Sequence, residues 1–435
     1  MKKHKVLKEA LPLLIALFFV GFLLFSPFNI GINFSKTQLQ QFAQNPGSLQ
    51  NFTSFSVRQQ LFSQKDFLPI LGSSELEHLD PFHPSPFFMK YDKETTPLLV
   101  GMPGTHPITH YFYLLPIQNE LKNRKVVFII SPQWFTKNGL GVANFQNFVS
   151  TNDLDYWMSH ANSSDYATQQ MAKRLLGFKE KNEDVALKDA LTSLSKGENI
   201  SKRTTLNLNI QTSMWKQQDL LFSRIYQWQQ SLLATTPSSA INMEQKIIDN
   251  SLLLPPSLNF KKLDQQAYEH AKENSTSNPY RISDSAWNKL IKPVYEKSAN
   301  SQKDVSYLQS PTYADFQQLL NIFAANNVDV QFIIQPVNNK WMSYTGLSMQ
   351  MLQTFSQKIT YQLQSQGFNN IVDFTDKYNE PFFIGDTTHL GNRGWVAVNQ
   401  HIMEFLKKPS PGNIDFRINN EKFLSQEWKM KDAGF

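Results

Sequence analysis

Five short apolar runs, at residues 67–71, 97–102, 125–130, 328–334 and 370–374, constrain the fold of this chain more than any other feature. They are rich in Val, Ile, Leu and Phe, and they lack the apolar–polar alternation of a half-exposed strand. Such runs read as strands buried on both faces, the pattern of a parallel sheet covered by helices. Helical periodicity at 313–326, 348–366 and 395–406 fits that role. The expected fold is α/β, with a five-stranded, mainly parallel sheet flanked by helices. Between the third and fourth runs the pattern changes. Residues 136–312 read as a helical insertion, with helices over 156–178, 214–233 and 263–272 and polar, Pro-containing joints at 251–257 and 275–279.

The N-terminus carries a different signal. No charge occurs from Ala10 to Ser35, and Lys2, Lys3, Lys5 and Lys8 precede that stretch. A helix needs roughly 20 apolar residues to cross the hydrocarbon core. The positive-inside rule would then leave the first residues in the cytoplasm and the rest of the chain outside. The stretch is long for a signal-peptide apolar region, and residues 26–33 hold no small-x-small cleavage site. The expected organisation is a basic tail at 1–9, a transmembrane anchor at 10–33, a juxtamembrane spacer at 34–66, and an extracytoplasmic domain at 67–435. Half of the formal net charge of +6 belongs to the lysine tail, and the rest of the chain has no dominant basic run for nucleic acid. With no cysteine, disulfides, thiolate catalysis and cysteine metal sites are excluded.

The first run ends in Gly72-Ser73-Ser74. A buried strand that stops there lifts a hydroxyl to the carboxyl edge of the sheet, where open α/β folds place their sites. If a helix starts at that point, its N–H groups favour an oxyanion beside the serine. The plainer alternative is a Gly-Ser-Ser turn that serves as a cap. Far downstream stands Asp386-Thr-Thr-His389. Spaced three apart, the carboxylate can hold one imidazole nitrogen while the other faces a serine, although an aspartate helix cap beside an incidental histidine is the plainer alternative. Two further strand ends could supply oxyanion donors, the Gly104 backbone N–H and the Gln133 side-chain amide. A turn amide capping a strand would account for Gln133 as well.

An early serine in a Gly-Ser-Ser turn and a late Asp-x-x-His resemble the SGNH (GDSL-type) hydrolase superfamily, with Ser74 in the nucleophile position and Gln133 where that superfamily carries asparagine. A narrower resemblance rests on Gly72-Ser-Ser-Glu-Leu76, Asp80-Pro-Phe-His-Pro84, Ser131-Pro-Gln-Trp-Phe135, Pro336-Val-Asn-Asn-Lys-Trp341, Tyr344-Thr-Gly346 and Asp386-Thr-Thr-His389. Together these are similar to the DltD family of the teichoic-acid D-alanylation system, over nearly the whole chain. One departure is His106, where the family has glutamine after Gly-Thr. The resemblance implies a membrane-anchored protein that moves D-alanyl esters onto lipoteichoic acid, with Ser74, His389 and Asp386 as its triad. It also implies partners: a D-alanyl donor or carrier and a membrane acyltransferase.

Two other readings stay open on the sequence, a non-catalytic scaffold and a hydrolase of the same superfamily. Ser73 becomes the exposed hydroxyl if the strand ends one residue early. Lys340 and Arg393 are candidate phosphate contacts, and Glu75 is a candidate for the alanyl ammonium or simply for a helix start. His83, His106 and His110 suggest metal ligands only superficially, since Pro107 disfavours a helix through the latter two and no carboxylates join them. No metal and no cofactor is expected.

Overall fold

The computed structural model of the protein describes residues 2–25, 33–47, 53–178, 185–232 and 239–435. Five strands form one sheet: β1 (Phe67–Leu71), β2 (Thr96–Val100), β3 (Lys125–Ile130), β4 (Asp329–Ile334) and β5 (Ile371–Asp373). Their order is β2-β1-β3-β4-β5, and every pairing is parallel.

The strands alternate between two cores, as a period of two requires. Phe67, Leu71, Val126, Phe128, Ile130 and Phe332 face one cluster of buried side chains. Leu68, Ile70, Val127, Ile129 and Ile333 face the other. Each fully buried side chain of this kind contributes roughly 1.5–3 kcal/mol, so both faces need a helical cover. Helices Pro107–Leu114, Thr312–Ala325 and Met349–Gln364 cover the first, while Pro84–Tyr91 and Asn392–Lys407 cover the second. Pro69 stands inside a central strand, where its missing N–H would break a ladder. The pairing of β1 with β3 accordingly starts only at Ile70↔Val127.

Three sequence expectations change. Helix 156–178 is two helices, Thr151–Ser159 and Tyr166–Leu176. Asn162, Ser164 and Asp165 divert backbone and side-chain bonds into a turn between them. Helix 214–233 belongs to a longer helix, Lys202–Leu232, and residue 233 lies outside the described residues. The segment expected as a spacer folds onto the domain instead. Leu39, Phe42, Val57, Leu61 and Phe62, on helices Lys36–Ala43 and Phe55–Ser63, join the first core. Buried Arg124 ties that segment down by donating to the carbonyls of Phe62 and Phe67.

Residues 136–312 contain helices and turns, with no strand among the described residues. Helix Phe260–Glu273 packs on helix Asn392–Lys407. A further helix covers Lys2–Phe25. Residues 26–32, the end of the expected anchor, lie outside the described residues. Among the described residues no helix is long and apolar enough to cross a membrane.

Candidate active site

The strand order 2-1-3-4-5 puts the topological switch point between β1 and β3, and open α/β sheets bind ligands in the crevice beyond the carboxyl ends there. β1 ends at Leu71, and Ser74 opens the next element. That element is a single 3-10 turn, Ser74–Glu77, so no helix dipole assists the serine as the sequence suggested. The chain is steered into this turn by neighbours. The Gly72 carbonyl accepts bonds from Thr105 Oγ1 (2.9 Å) and His110 Nε2 (2.7 Å). Since a carbonyl only accepts, Nε2 of His110 carries the proton. Ser73 N–H donates to Glu75 Oε1 at 2.7 Å.

Ser74 Oγ lies 2.6 Å from His389 Nε2, and His389 Nδ1 lies 2.6 Å from Asp386 Oδ2. The Asp386–His389 segment is an irregular loop rather than a helical turn. Asp386 shapes it through Oδ1, which accepts the N–H groups of Thr388 and His389, both at 2.8 Å. The aspartate therefore caps its own loop and orients the imidazole at once. Burial opposes a charged His389, but the bond and charge of Asp386, with the charge of Glu75, hold its pKa above the ordinary value. Burial likewise works against the Asp386 carboxylate, and the bonds from His389 and the two N–H groups overcome it, leaving a pKa of about 2. A serine hydroxyl, a basic imidazole and an ionised carboxylate in series can activate a nucleophile.

The remaining sequence candidates fall in different places. Gln133 reaches the loop, its Nε2 donating to Thr388 Oγ1 at 3.1 Å. Gly104 occupies a left-handed corner (φ 93°) of the loop after β2, which Thr105 ties to Gly72. Glu75 turns inward and is buried. Burial pushes its carboxyl up despite the charge of His389 and the Ser73 N–H, so it lies beneath the turn rather than facing an incoming ammonium. Lys340 donates to the Pro279 carbonyl at 2.7 Å. Arg393 is spent on both carboxylate oxygens of Asp264, at 2.8 and 2.9 Å, and on the Pro381 carbonyl. Ser73 Oγ is turned away, toward the Met102 carbonyl at 3.4 Å.

Sequence reasoning missed several neighbours. The His78 ring stands 4.9 Å from that of His389, and burial followed by the His389 charge lowers its pKa. Its place four residues after Ser74 was the available signal. His78, Asp386 and His389 are, among the described residues, the one His/Asp/Glu cluster close enough to hold a metal ion. Both ring nitrogens of His389 are already engaged by Ser74 and Asp386, so a metal there would have to displace one of them. Asp80 lines the same cleft of about 520 Å³, and burial lifts its carboxyl to about 7 against bonds from Phe82, His83 and Asn392. His270, Arg281 and Lys289 of the helical insertion line it as well. Gly101 is a further requirement. A Cβ there would sit 2.6 Å from the Gly72 carbonyl and 2.8 Å from Ser73 N. Gly101→Ala should displace the serine turn and cost about 1–3 kcal/mol, measured by urea unfolding of the full chain.

A family model described as "DltD protein" matches residues 33–407. The protein DltD of Lacticaseibacillus rhamnosus is 32% identical over 424 residues, covering 97% of this chain and 96% of that protein. The Bacillus subtilis protein DltD is 32% identical, covering 82% of this chain and 86% of its own length. The Staphylococcus aureus protein DltD is 29% identical, covering 93% and 98%. The family match takes in β1 and the Asp386–His389 loop alike, and the chain belongs to the DltD family.

Proposed function

We propose that this protein transfers D-alanyl groups to lipoteichoic acid on the outer side of the cell membrane, through an acyl-enzyme on Ser74. The observation that carries the reading is the unbroken series Ser74 Oγ, His389, Asp386, with both links at 2.6 Å, at the sheet's switch point. The parallel sheet and the early-serine, late-histidine order support a SGNH-hydrolase-like fold for the domain.

In the first half-reaction Ser74 Oγ attacks the carbonyl carbon of an activated D-alanyl ester or thioester. His389 Nε2 takes the hydroxyl proton, and Asp386 holds the resulting imidazolium. Gln133, Gly104 and the Ser74 N–H are the candidate donors to the oxyanion. The carbon–leaving-group bond then breaks, and His389 returns its proton to the departing oxygen or sulfur. In the second half-reaction a glycerol hydroxyl of the teichoic chain loses its proton to His389 and attacks the acyl carbon. Ser74 leaves and recovers the proton, and the D-alanyl ester of the polymer is the product.

The membrane setting rests on the charge-free stretch from Ala10 to Ser35 and the four lysines before it. Leu13, Phe18 and Phe19 of helix Lys2–Phe25 are among its exposed apolar side chains, a surface suited to lipid. In this reading the donor is delivered by a carrier or by a membrane acyltransferase.

The test is reconstitution of the full chain in liposomes with lipoteichoic acid and a D-alanyl thioester. Ester-linked D-alanine on the polymer, dependent on the protein, is expected. Release of free D-alanine at the same rate with or without polymer would replace the transferase with a hydrolase. Absence of both products, with no acyl adduct on Ser74 by intact mass, would overturn the catalytic reading in favour of a scaffold.

A further inference from the structure

The sequence motif around Asn338 has no place in the chemistry above, yet its side chain is buried against the loop that carries Asp386 and His389. Asn338 follows β4 by four residues and caps the helix Asn339–Thr345. Its Oδ1 accepts from Trp341 N–H at 3.1 Å. Its Nδ2 donates to two carbonyls, that of Asp386 at 3.0 Å and that of Tyr280 at 3.1 Å. Its backbone N–H donates to the Thr387 carbonyl at 3.0 Å. One amide orientation alone satisfies two carbonyls and one N–H, so the assignment of nitrogen and oxygen follows from the surroundings.

The loop at 385–389 has no helix or strand to place it. Within itself it is closed by Gly385 N–H donating to the His389 carbonyl at 2.9 Å and by the bonds to Asp386 Oδ1. Those bonds set its internal shape but not its distance from Ser74, which stands on a separate element after β1. That distance depends on ties to the surrounding fold. Two of them, on consecutive peptide carbonyls, come from Asn338. A third comes from the insertion, where Ser283 N–H donates to the Gly385 carbonyl at 2.8 Å. Because Nδ2 also holds the Tyr280 carbonyl, Asn338 joins β4, the insertion and the loop at one point. Tyr280 in turn stacks on Trp287 and packs against Trp341.

We infer that Asn338 is the positioning residue that holds the Asp386–His389 loop in register with Ser74. It touches no reacting atom and acts through the backbone of Asp386 and Thr387. The inference rests on the reading of Ser74, His389 and Asp386 as the reacting groups.

Two variants separate this role from the helix cap. In Asn338→Ser a hydroxyl can still accept from Trp341 N–H, but it is too short to span both carbonyls. In Asn338→Asp the reach and the cap persist, while the donor becomes an acceptor facing two carbonyl oxygens. The readout is the rate at which a fluorophosphonate probe labels Ser74 in the full chain in nanodiscs, measured against pH. This reaction forms the Oγ–P bond, expels fluoride and leaves the proton on His389, without any D-alanyl donor. A displacement near 1 Å in such a site costs on the order of 100-fold, so a drop of about 10- to 100-fold is expected in both variants. The acid limb of the profile should also move to lower pH, because a misplaced Asp386 raises the His389 pKa less. Thermal unfolding is followed on the same samples. Folded protein that labels at the wild-type rate with the wild-type pH limb overturns the inference, even if it unfolds at a lower temperature. Wild-type labelling of a Ser74→Ala control would instead overturn the assignment of the nucleophile itself.

Discussion

Replacing Ser74 with alanine is expected to abolish D-alanyl transfer and leave the fold unchanged. The hydroxyl is hydrogen-bonded to His389 and Ser74 is half-buried, so its removal strands no buried charge. Substitutions of that kind alter stability by about 0.5 kcal/mol or less. Activity should respond quite differently. Without Oγ there is no acyl-enzyme, and the loss of a nucleophile from a triad costs on the order of 10⁴-fold or more. Ser73→Ala provides the internal control, since its hydroxyl makes only a long contact of 3.4 Å with the Met102 carbonyl. That variant should retain activity within about twofold, in keeping with the small net worth of one weak bond. The measurement is ester-linked D-alanine on lipoteichoic acid from a deletion strain complemented with each variant at equal membrane level. Full activity of Ser74→Ala would eliminate the acyl-enzyme and favour the scaffold.

Asp386→Asn should lower the acylation rate by about 10²- to 10⁴-fold and shift its pH dependence. In the proposed reaction neutral His389 is the base, so the rate should fall as pH drops through the His389 pKa. In the wild type that pKa lies above its ordinary value, because the bond and charge of Asp386 and the charge of Glu75 outweigh burial. Asparagine removes the charge, weakens the bond to one between neutral groups, and leaves burial in place. The imidazole pKa must then fall, and the acid limb moves to lower pH while the plateau drops. The plateau drops because an amide can present either end to Nδ1 and no longer enforces the tautomer that leaves Nε2 free to accept from Ser74. Acylation rates across the acid range decide the matter. An acid limb that stays in place, or moves to higher pH, would show that another group titrates there.

Much of this site was legible in the chain before it folded. The first four strands are strongly local signals, because a strand buried on both faces must be apolar at nearly every position, and such runs are short and bounded, whereas β5 is a half-buried edge strand of three residues. Phe67–Leu71 and Lys125–Ile130 fall where the sequence places them. Ser74, Asp386 and His389 were readable as candidates because the chemistry proposed for them limits the residue types that can do it. Glu75, Lys340 and Arg393 were read from charge alone, and charge does not reveal direction. Glu75 turns inward to the Ser73 N–H, while Lys340 and Arg393 are occupied by Pro279 and Asp264.

What the sequence determined by itself is thus the α/β class and the identity of the three side chains proposed to react, since both follow from side-chain type and near-neighbour spacing. Only the tertiary structure decided how those groups meet. Ser74 and His389 are 315 positions apart, and the 2.6 Å between them depends on contacts made largely to backbone carbonyls. His110 and Thr105 hold the Gly72 carbonyl, and Asn338 holds those of Asp386 and Thr387. Every residue carries a carbonyl, so such partners leave no mark in the sequence of the residue that accepts the bond. The close approach of Gly101 to the serine turn belongs to the same class. It is set by the packing of β2 against β1, which exists only once the sheet has formed.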